Sequence, residues 1–305
     1  MRKAFVPAYL ELTEGELAMR AERLRRLLSP CCLCPRGCGV ERAEGEKGEC
    51  GVGKEPLVSS YNLHFGEEPP LVGRGGSGTI FFAGCNLHCL FCQNYPISQL
   101  RHGEPVSADR LAQMMLWLQE RGAENINFVT PTHFSAQILE ALALASAQGL
   151  RLPLVWNTGG YERLEVLQVL DGIVDIYLPD CKYSDDALAE ALSEAPNYTR
   201  VNQLAIREMW RQVGKLEMTG GVAERGLMVR HLVLPGELEN TRGVLKFLAG
   251  IDVGIAVSVM SQYFPAYRAV HHPTLSQRLS REEWSRVCEW VQELGLSTGY
   301  VQPVP

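Results

Sequence analysis

Gly78-Thr79-Ile80-Phe81-Phe82-Ala83-Gly84-Cys85-Asn86-Leu87-His88-Cys89-Leu90-Phe91-Cys92 is an apolar run that passes directly into three cysteines at C-x3-C-x2-C spacing. The run predicts a buried strand over 78–83. Thiolates this close together can wrap one face of a cubic iron–sulfur cluster. A 4Fe-4S cluster ordinarily takes four cysteines, so three leave one iron open to an outside molecule. Two plainer readings stand beside it: three small buried thiols, or a zinc site with His88 lying between the sulfur ligands. Three cysteines in eight residues is dense for the first, and zinc prefers a fourth Cys or His.

Downstream the chain falls into a repeating strand–helix rhythm. Ser107 is an N-cap for a helix over 107–121, with Leu111, Met114, Met115 and Leu118 on one face and Gly122 as the stop. The methionines read as core. Further strands are expected over 125–130, 152–157, 173–178, 227–234 and 253–260, with helices over 135–148 and 162–170 and two over 185–213, broken near Pro196. Asn240 reads as the cap of another helix. Ser280 and Glu283 form a capping box before a last helix with Trp284, Val287, Cys288 and Val291 inward. Six apolar strands, each followed by a helix, predict α/β architecture: right-handed parallel βα units in a partial (β/α)6 TIM-like barrel. In such folds the chemistry lies at the C-terminal strand ends, where the Cys85 loop begins.

Upstream, Thr13 and Glu16 read as a capping box opening a helix to about residue 28. Cys31, Cys34, Cys38 and Cys50 follow at C-x2-C-x3-C-x11-C spacing, with little apolar sequence between them. This is the pattern of a small metal-stapled knuckle, holding a second 4Fe-4S cluster or zinc. Free loop thiols are the remaining reading, and Cys32 is the odd thiol out. We expect an N-terminal helix and cysteine-rich knuckle over 1–60 and the barrel over 61–305. Residues 55–78 read as a connecting segment that brings His64, Glu67 and Glu68 near the barrel entrance.

Composition narrows the function. A net charge of −6 without a long basic run argues against non-specific nucleic-acid binding. No run of 18 apolar residues predicts a membrane span, and the N-terminus does not read as a signal peptide. Ten cysteines, eight of them before residue 93, then point to metal or redox use in a reducing, cytoplasmic setting.

The segment Gly84–Asn94, Asp180-Cys181-Lys182, and Arg230-His231-Leu232-Val233-Leu234-Pro235-Gly236 together resemble the radical S-adenosylmethionine superfamily, and within it the pyruvate formate-lyase activating enzymes and their homologues. The N-terminal knuckle is similar to an activating-enzyme-related subgroup. The resemblance covers roughly residues 78–265 and implies a 4Fe-4S cluster on Cys85, Cys89 and Cys92, with S-adenosylmethionine on the open iron. It further implies one-electron cleavage to a 5'-deoxyadenosyl radical, hydrogen abstraction from substrate, and a reductant such as flavodoxin or ferredoxin. The cofactor carries that chemistry and the protein supplies placement and shielding. A protein glycine is the substrate implied by the activases; another protein or a small molecule would use the same first step.

The superfamily often carries Gly-Gly-Glu at the second strand end. Here Thr130-Pro131-Thr132 stands in its place, and the hydroxyls of Thr130 and Thr132 are the expected substitutes. Asn157 and Thr158, beside Gly159, are expected near the cofactor because glycine lets backbone approach a ligand closely. Asp180 and Lys182 either satisfy each other or bind polar ligand groups. Alternation turns one of Arg230 and His231 inward; His231 is our cofactor-side candidate, with Gln262 at the sixth strand end. A rival from another class is a non-catalytic, metal-stapled binding protein.

Overall fold

A computed structural model describes residues 5–301 of the 305-residue chain. After a short 3-10 turn at Ala8–Leu10 come helix α1 (Glu16–Arg25), strand β1 (Leu57–His64), the single turn α2 (Pro69–Val72) and β2 (Ser77–Phe82). Then come α3 (Tyr95–Ser98), β3 (Glu104–Pro105), α4 (Ala108–Glu120), β4 (Ile126–Val129), α5 (Ser135–Ala147), β5 (Leu154–Thr158), α6 (Leu164–Leu170) and β6 (Ile176–Pro179). The rest are α7 (Asp186–Ser193), α8 (Tyr198–Val213), β7 (Glu217–Thr219), β8 (Val222–Leu232), α9 (Leu238–Ala249), β9 (Ala256–Met260), α10 (Arg281–Glu293) and β10 (Gly299–Val301).

The six expected strands are β2, β4, β5, β6, β8 and β9. They lie side by side and parallel, each with its crossover helix, as a partial barrel. β5 and β6 are buried throughout, as strands covered on both faces must be. Outside them pack Leu111, Met115 and Leu118 of α4, Leu139 and Leu142 of α5, and Leu245 and Leu248 of α9. The Ser107 cap forms, its side chain accepting from Arg110 N, and the Ser280–Glu283 capping box closes on α10. No helix among the described residues is long and apolar enough to cross a membrane.

Several local expectations are corrected. Residues 57–64 form β1, antiparallel to β2, within a stretch read as a connection; β1 is a half-exposed edge strand whose polar residues mask its alternation. β10 adds a seventh parallel strand, too short to announce itself in sequence. Thr13 is not the helix cap: Gly15 is, although Glu16 reaches back to Thr13 as expected. Asn240 lies inside α9, whose cap position is Glu237; its side chain instead accepts from Ser184 N and donates to Lys182 O.

The connection between β1 and β2 enters the barrel. Leu71 of α2 is fully buried among Val155, Ile176, Leu178, Met228 and Ala256, and Asn125 Nδ2 donates to Leu71 O (2.8 Å). This plug closes the barrel floor and lifts Glu67 and Glu68 toward the strand ends.

Candidate active site

A cavity of about 400 Å³ opens at the C-terminal ends of the parallel strands. Cys85, Cys89 and Cys92 line one wall. Thr130, Asn157, Asp180, Lys182 and Arg230 line the strand-end side, Glu67 and Glu68 the floor, and Gln262 the rim.

The cysteine loop is held from several directions. Gly84, at φ +82°, turns the chain out of β2; a Cβ there would lie 2.7 Å from Val52 Cγ1 and 2.8 Å from Cys50 O. His133 is buried behind this turn and its Nε2 pairs with Ala83 O (3.0 Å). Burial holds the His133 imidazole down at about 3, so the ring is neutral. Arg268 N and Ala269 N both donate to Leu90 O, tying the loop to the rim. Leu87, Phe91, Tyr161, Tyr183, Tyr198 and Tyr263 form a separate apolar cluster around it.

Each thiol has a polar neighbour. Leu87 N donates to Cys85 Sγ (3.4 Å) and Ser193 Oγ to Cys89 Sγ (2.9 Å), while Cys92 Sγ and Ser98 Oγ share a hydrogen bond of 3.0 Å. Burial pushes the Cys89 thiol up to about 11 and Cys85 higher still, while the Lys182 charge pulls both back. The loop therefore offers three donor sulfurs on one side of a cavity, backed by hydrogen-bond donors and a cation. That set fits a group whose irons would hold the thiolates deprotonated and whose exposed face looks into the cavity.

The facing wall is charged. Lys182 Nζ pairs with Asp180 Oδ2 at 2.5 Å. Burial pulls the Lys182 ammonium down, but Asp180 and the nearby thiols outweigh it and leave it above its ordinary range. Arg230 donates to both oxygens of Glu68 (2.8 and 2.5 Å) and to Glu67, and reaches Asn157 Oδ1 at 3.4 Å. Burial pushes the Glu68 carboxyl up, yet Arg230 overrides it and holds the group below the ordinary carboxylate range. Three carboxylates thus face two cations. Thr130 adds a backbone at φ +60°, a region costly for a β-branched residue.

Two expected residues turn away from the cavity. His231 is fully buried on the other face of β8, its Nδ1 paired with Cys181 O (2.6 Å) and its Nε2 with Thr241 Oγ1 (2.9 Å); Arg230 takes the inward position. Thr132 lies behind the wall and donates to Glu162 Oε1 (2.7 Å), which also receives Thr158 Oγ1 (2.5 Å) and Trp156 Nε1 (3.3 Å). Thr158 lines the cavity with its hydroxyl proton committed. Burial raises the Glu162 carboxyl against these three donors. Glu162, Ser98 and Ser193 escaped the sequence reading, which placed Glu67 and Glu68 near the barrel entrance without giving them a role. Glu67 and Glu68 had a signal, as adjacent acids beside a barrel entrance; the serines had none, because Ser193 meets Cys89 across 104 residues.

The knuckle packs behind the same loop. Arg36 Nε donates to Asn86 O (2.9 Å), and its guanidinium lies over Tyr161. Burial raises the Cys34 thiol to about 12, and Cys50, Cys31 and Cys38 lie close enough to push it the same way. Among the described residues no three His, Cys, Asp or Glu side chains are arranged to hold a single metal ion.

Residues 79–248, over half of the chain, match the family model described as the Radical SAM superfamily. The chain is 32% identical over 297 residues to uncharacterized protein MJ0674 of Methanocaldococcus jannaschii, covering 93% of this chain and 80% of that protein. Streptococcus suis SuiB bound to S-adenosylmethionine shares the fold at TM-score 0.50 and 10% identity, over 72% of this chain and 48% of SuiB; the chain thus spans about half of that protein. A domain of pyruvate-formate lyase-activating enzyme from Bacteroides vulgatus aligns at TM-score 0.38 and 14% identity, over 70% of this chain and 97% of that domain.

Proposed function

The chain belongs to the Radical SAM superfamily, and from that premise we propose that it binds a 4Fe-4S cluster through Cys85, Cys89 and Cys92 and uses it to cleave S-adenosylmethionine reductively. The observation that carries this reading is the placement of three cysteines on one wall of a cavity whose other wall is the charged ends of the parallel strands. When bound, the cluster supplies one electron to the sulfonium, releasing methionine and a 5'-deoxyadenosyl radical that takes a hydrogen atom from substrate.

The protein's own residues place and shield the reactants. Leu87 N, Ser193 and Ser98 orient the three sulfurs. Lys182 offsets the negative charge of the thiolates, and Asp180 keeps it fixed and protonated. The excess of one carboxylate over the cations suits a ligand carrying a positive sulfonium. Thr130, Asn157 and Gln262 offer uncharged polar contacts to its amino-acid and adenosine ends. Leu87 and Phe91, buried in the loop, help keep water from the radical.

For the hydrogen donor we propose a backbone glycine of a partner protein, supported by the likeness of the Gly84–Asn94 segment and of Asp180-Cys181-Lys182 to the activases. A reduced flavodoxin or ferredoxin would supply the electron. The test is 5'-deoxyadenosine and methionine formation by reduced, reconstituted protein. Equal amounts of both are expected, and a fully iron-loaded wild type that forms neither overturns the proposal.

A further inference from the structure

We propose that Tyr183 and Gln99 are positioning residues that direct the hydroxyl protons of Ser193 and Ser98 onto the sulfurs of Cys89 and Cys92, and that these two hydrogen-bond chains raise the reduction potential of the cluster; the effect on potential rests on the function proposed above.

The first chain runs through α7. The last carbonyls of a helix have no partner inside it. In α7 they go to the cysteine loop: Ser193 O accepts from His88 N (3.0 Å) and Leu192 O from Leu90 N (2.9 Å). The helix end therefore holds the backbone on both sides of Cys89. This docking leaves Ser193 Oγ 2.9 Å from Cys89 Sγ, with Ser193 fully buried. Behind the serine stands the Tyr183 hydroxyl at 2.5 Å, on a buried ring packed edge-on against Tyr198.

The second chain comes from the turn that follows the loop. Ser98 is the last residue of α3, and its Oγ lies 3.0 Å from Cys92 Sγ. Gln99 Nε2 donates one hydrogen to Leu87 O (3.1 Å) and the other to Ser98 Oγ (3.2 Å). A carbonyl cannot donate, so the Leu87 contact fixes which end of the Gln99 amide is the nitrogen, and Ser98 must accept from it.

Proton counting gives both chains one direction. A serine hydroxyl carries a single proton. A metal-bound thiolate has none to give, so each serine donates to its sulfur. Ser193 is then left to accept, and Tyr183 must be its donor; Ser98 already accepts from Gln99. Each sulfur thus meets a hydroxyl backed by a second donor, and buried chains of this kind polarise and strengthen their own links. One-electron reduction adds negative charge to a cluster and its sulfurs. Donors at those sulfurs favour the reduced form and raise the potential. Cys85 meets a backbone donor instead, Leu87 N at 3.4 Å, which no side-chain substitution removes. Control by side chains therefore falls on Cys89 and Cys92.

The test is a dithionite titration of reconstituted protein followed by electron paramagnetic resonance, reading the reduced signal that Cys89→Ala lacks. The wild type is compared with Ser193→Ala, Ser98→Ala, Tyr183→Phe and Gln99→Met, and with each of the last two combined with the variant of its own serine. At a fixed potential the ratio of reduced to oxidised cluster should fall about tenfold in each serine variant, which is about 59 mV for one electron. Tyr183→Phe and Gln99→Met should lower the ratio by a smaller factor, and should add nothing in the double variants. A midpoint unmoved in both iron-loaded serine variants overturns the proposal. So does a Tyr183→Phe or Gln99→Met shift of the same size with and without its serine. A wild-type signal that persists unchanged in Cys89→Ala overturns the Cys85 reading instead. If Ser193→Ala takes up no iron, Ser98→Ala and Tyr183→Phe decide.

Discussion

Arg230→Met tests the charged floor of the cavity. Arg230 is shared by Glu67 and Glu68, whose side chains are 7 and 3% exposed. Removing the guanidinium leaves two carboxylates facing each other out of water, and breaking a buried pair in this way costs about 3–5 kcal/mol. Protonation sets a ceiling on that cost. Neutralising one carboxyl of ordinary pKa costs about 1.36 kcal/mol per pH unit above it, so about 4 kcal/mol at pH 7.5 and about 1.5 at pH 5.5. In the variant a glutamate pKa is raised above its unfolded value. The native state then holds more protons than the unfolded one, and the deficit relative to wild type grows as pH rises. Urea denaturation followed by circular dichroism should show the variant's midpoint lowered by about 1.5–2 M at pH 7.5 and by well under 1 M at pH 5.5. Adding Glu68→Gln should recover most of the loss at pH 7.5. A loss below about 1 kcal/mol, or one equal at both pH values, would refute the reasoning.

Other expectations follow from single contacts. Ser280→Ala removes the α10 capping box and should cost about 1 kcal/mol in denaturation. Gly84→Ala drives a Cβ into Val52 and Cys50 at positive φ and should cost at least about 1–2 kcal/mol, with lower iron content after reconstitution. Burial holds His231 at about 4, so its contribution is intact above pH 6.5 and lost as pH falls toward 4. His133 adds to that slope, while Asp175, raised to about 7 by burial, opposes it. The wild-type urea midpoint should therefore fall between pH 6.5 and 4.5, and the slope should be shallower in His231→Gln.

The barrel was legible because its strands are buried on both faces. Ile126–Val129, Leu154–Thr158 and Ile176–Pro179 read as apolar runs whatever their register, and glycines or caps mark the helices between them. β1 was not legible, since an edge strand with one solvated face carries Ser59, Ser60 and Asn62 in a stretch rich in polar residues. The plug at Leu71 was hidden because a single helical turn has no periodicity. In the site, local spacing revealed the three cysteines. The choice between Arg230 and His231 could not be read, since alternation gives two faces without saying which is inward. Glu162 and Ser193 act through contacts that no local pattern encodes.

An open iron held by Cys85, Cys89 and Cys92 is tested most directly by electron–nuclear double resonance on the reduced protein with nitrogen-15-labelled S-adenosylmethionine. We expect coupling between the amino nitrogen and the cluster spin in the wild type, and no such signal in Cys89→Ala. An iron-loaded, reduced wild type whose spectrum does not change when S-adenosylmethionine is added would contradict the account.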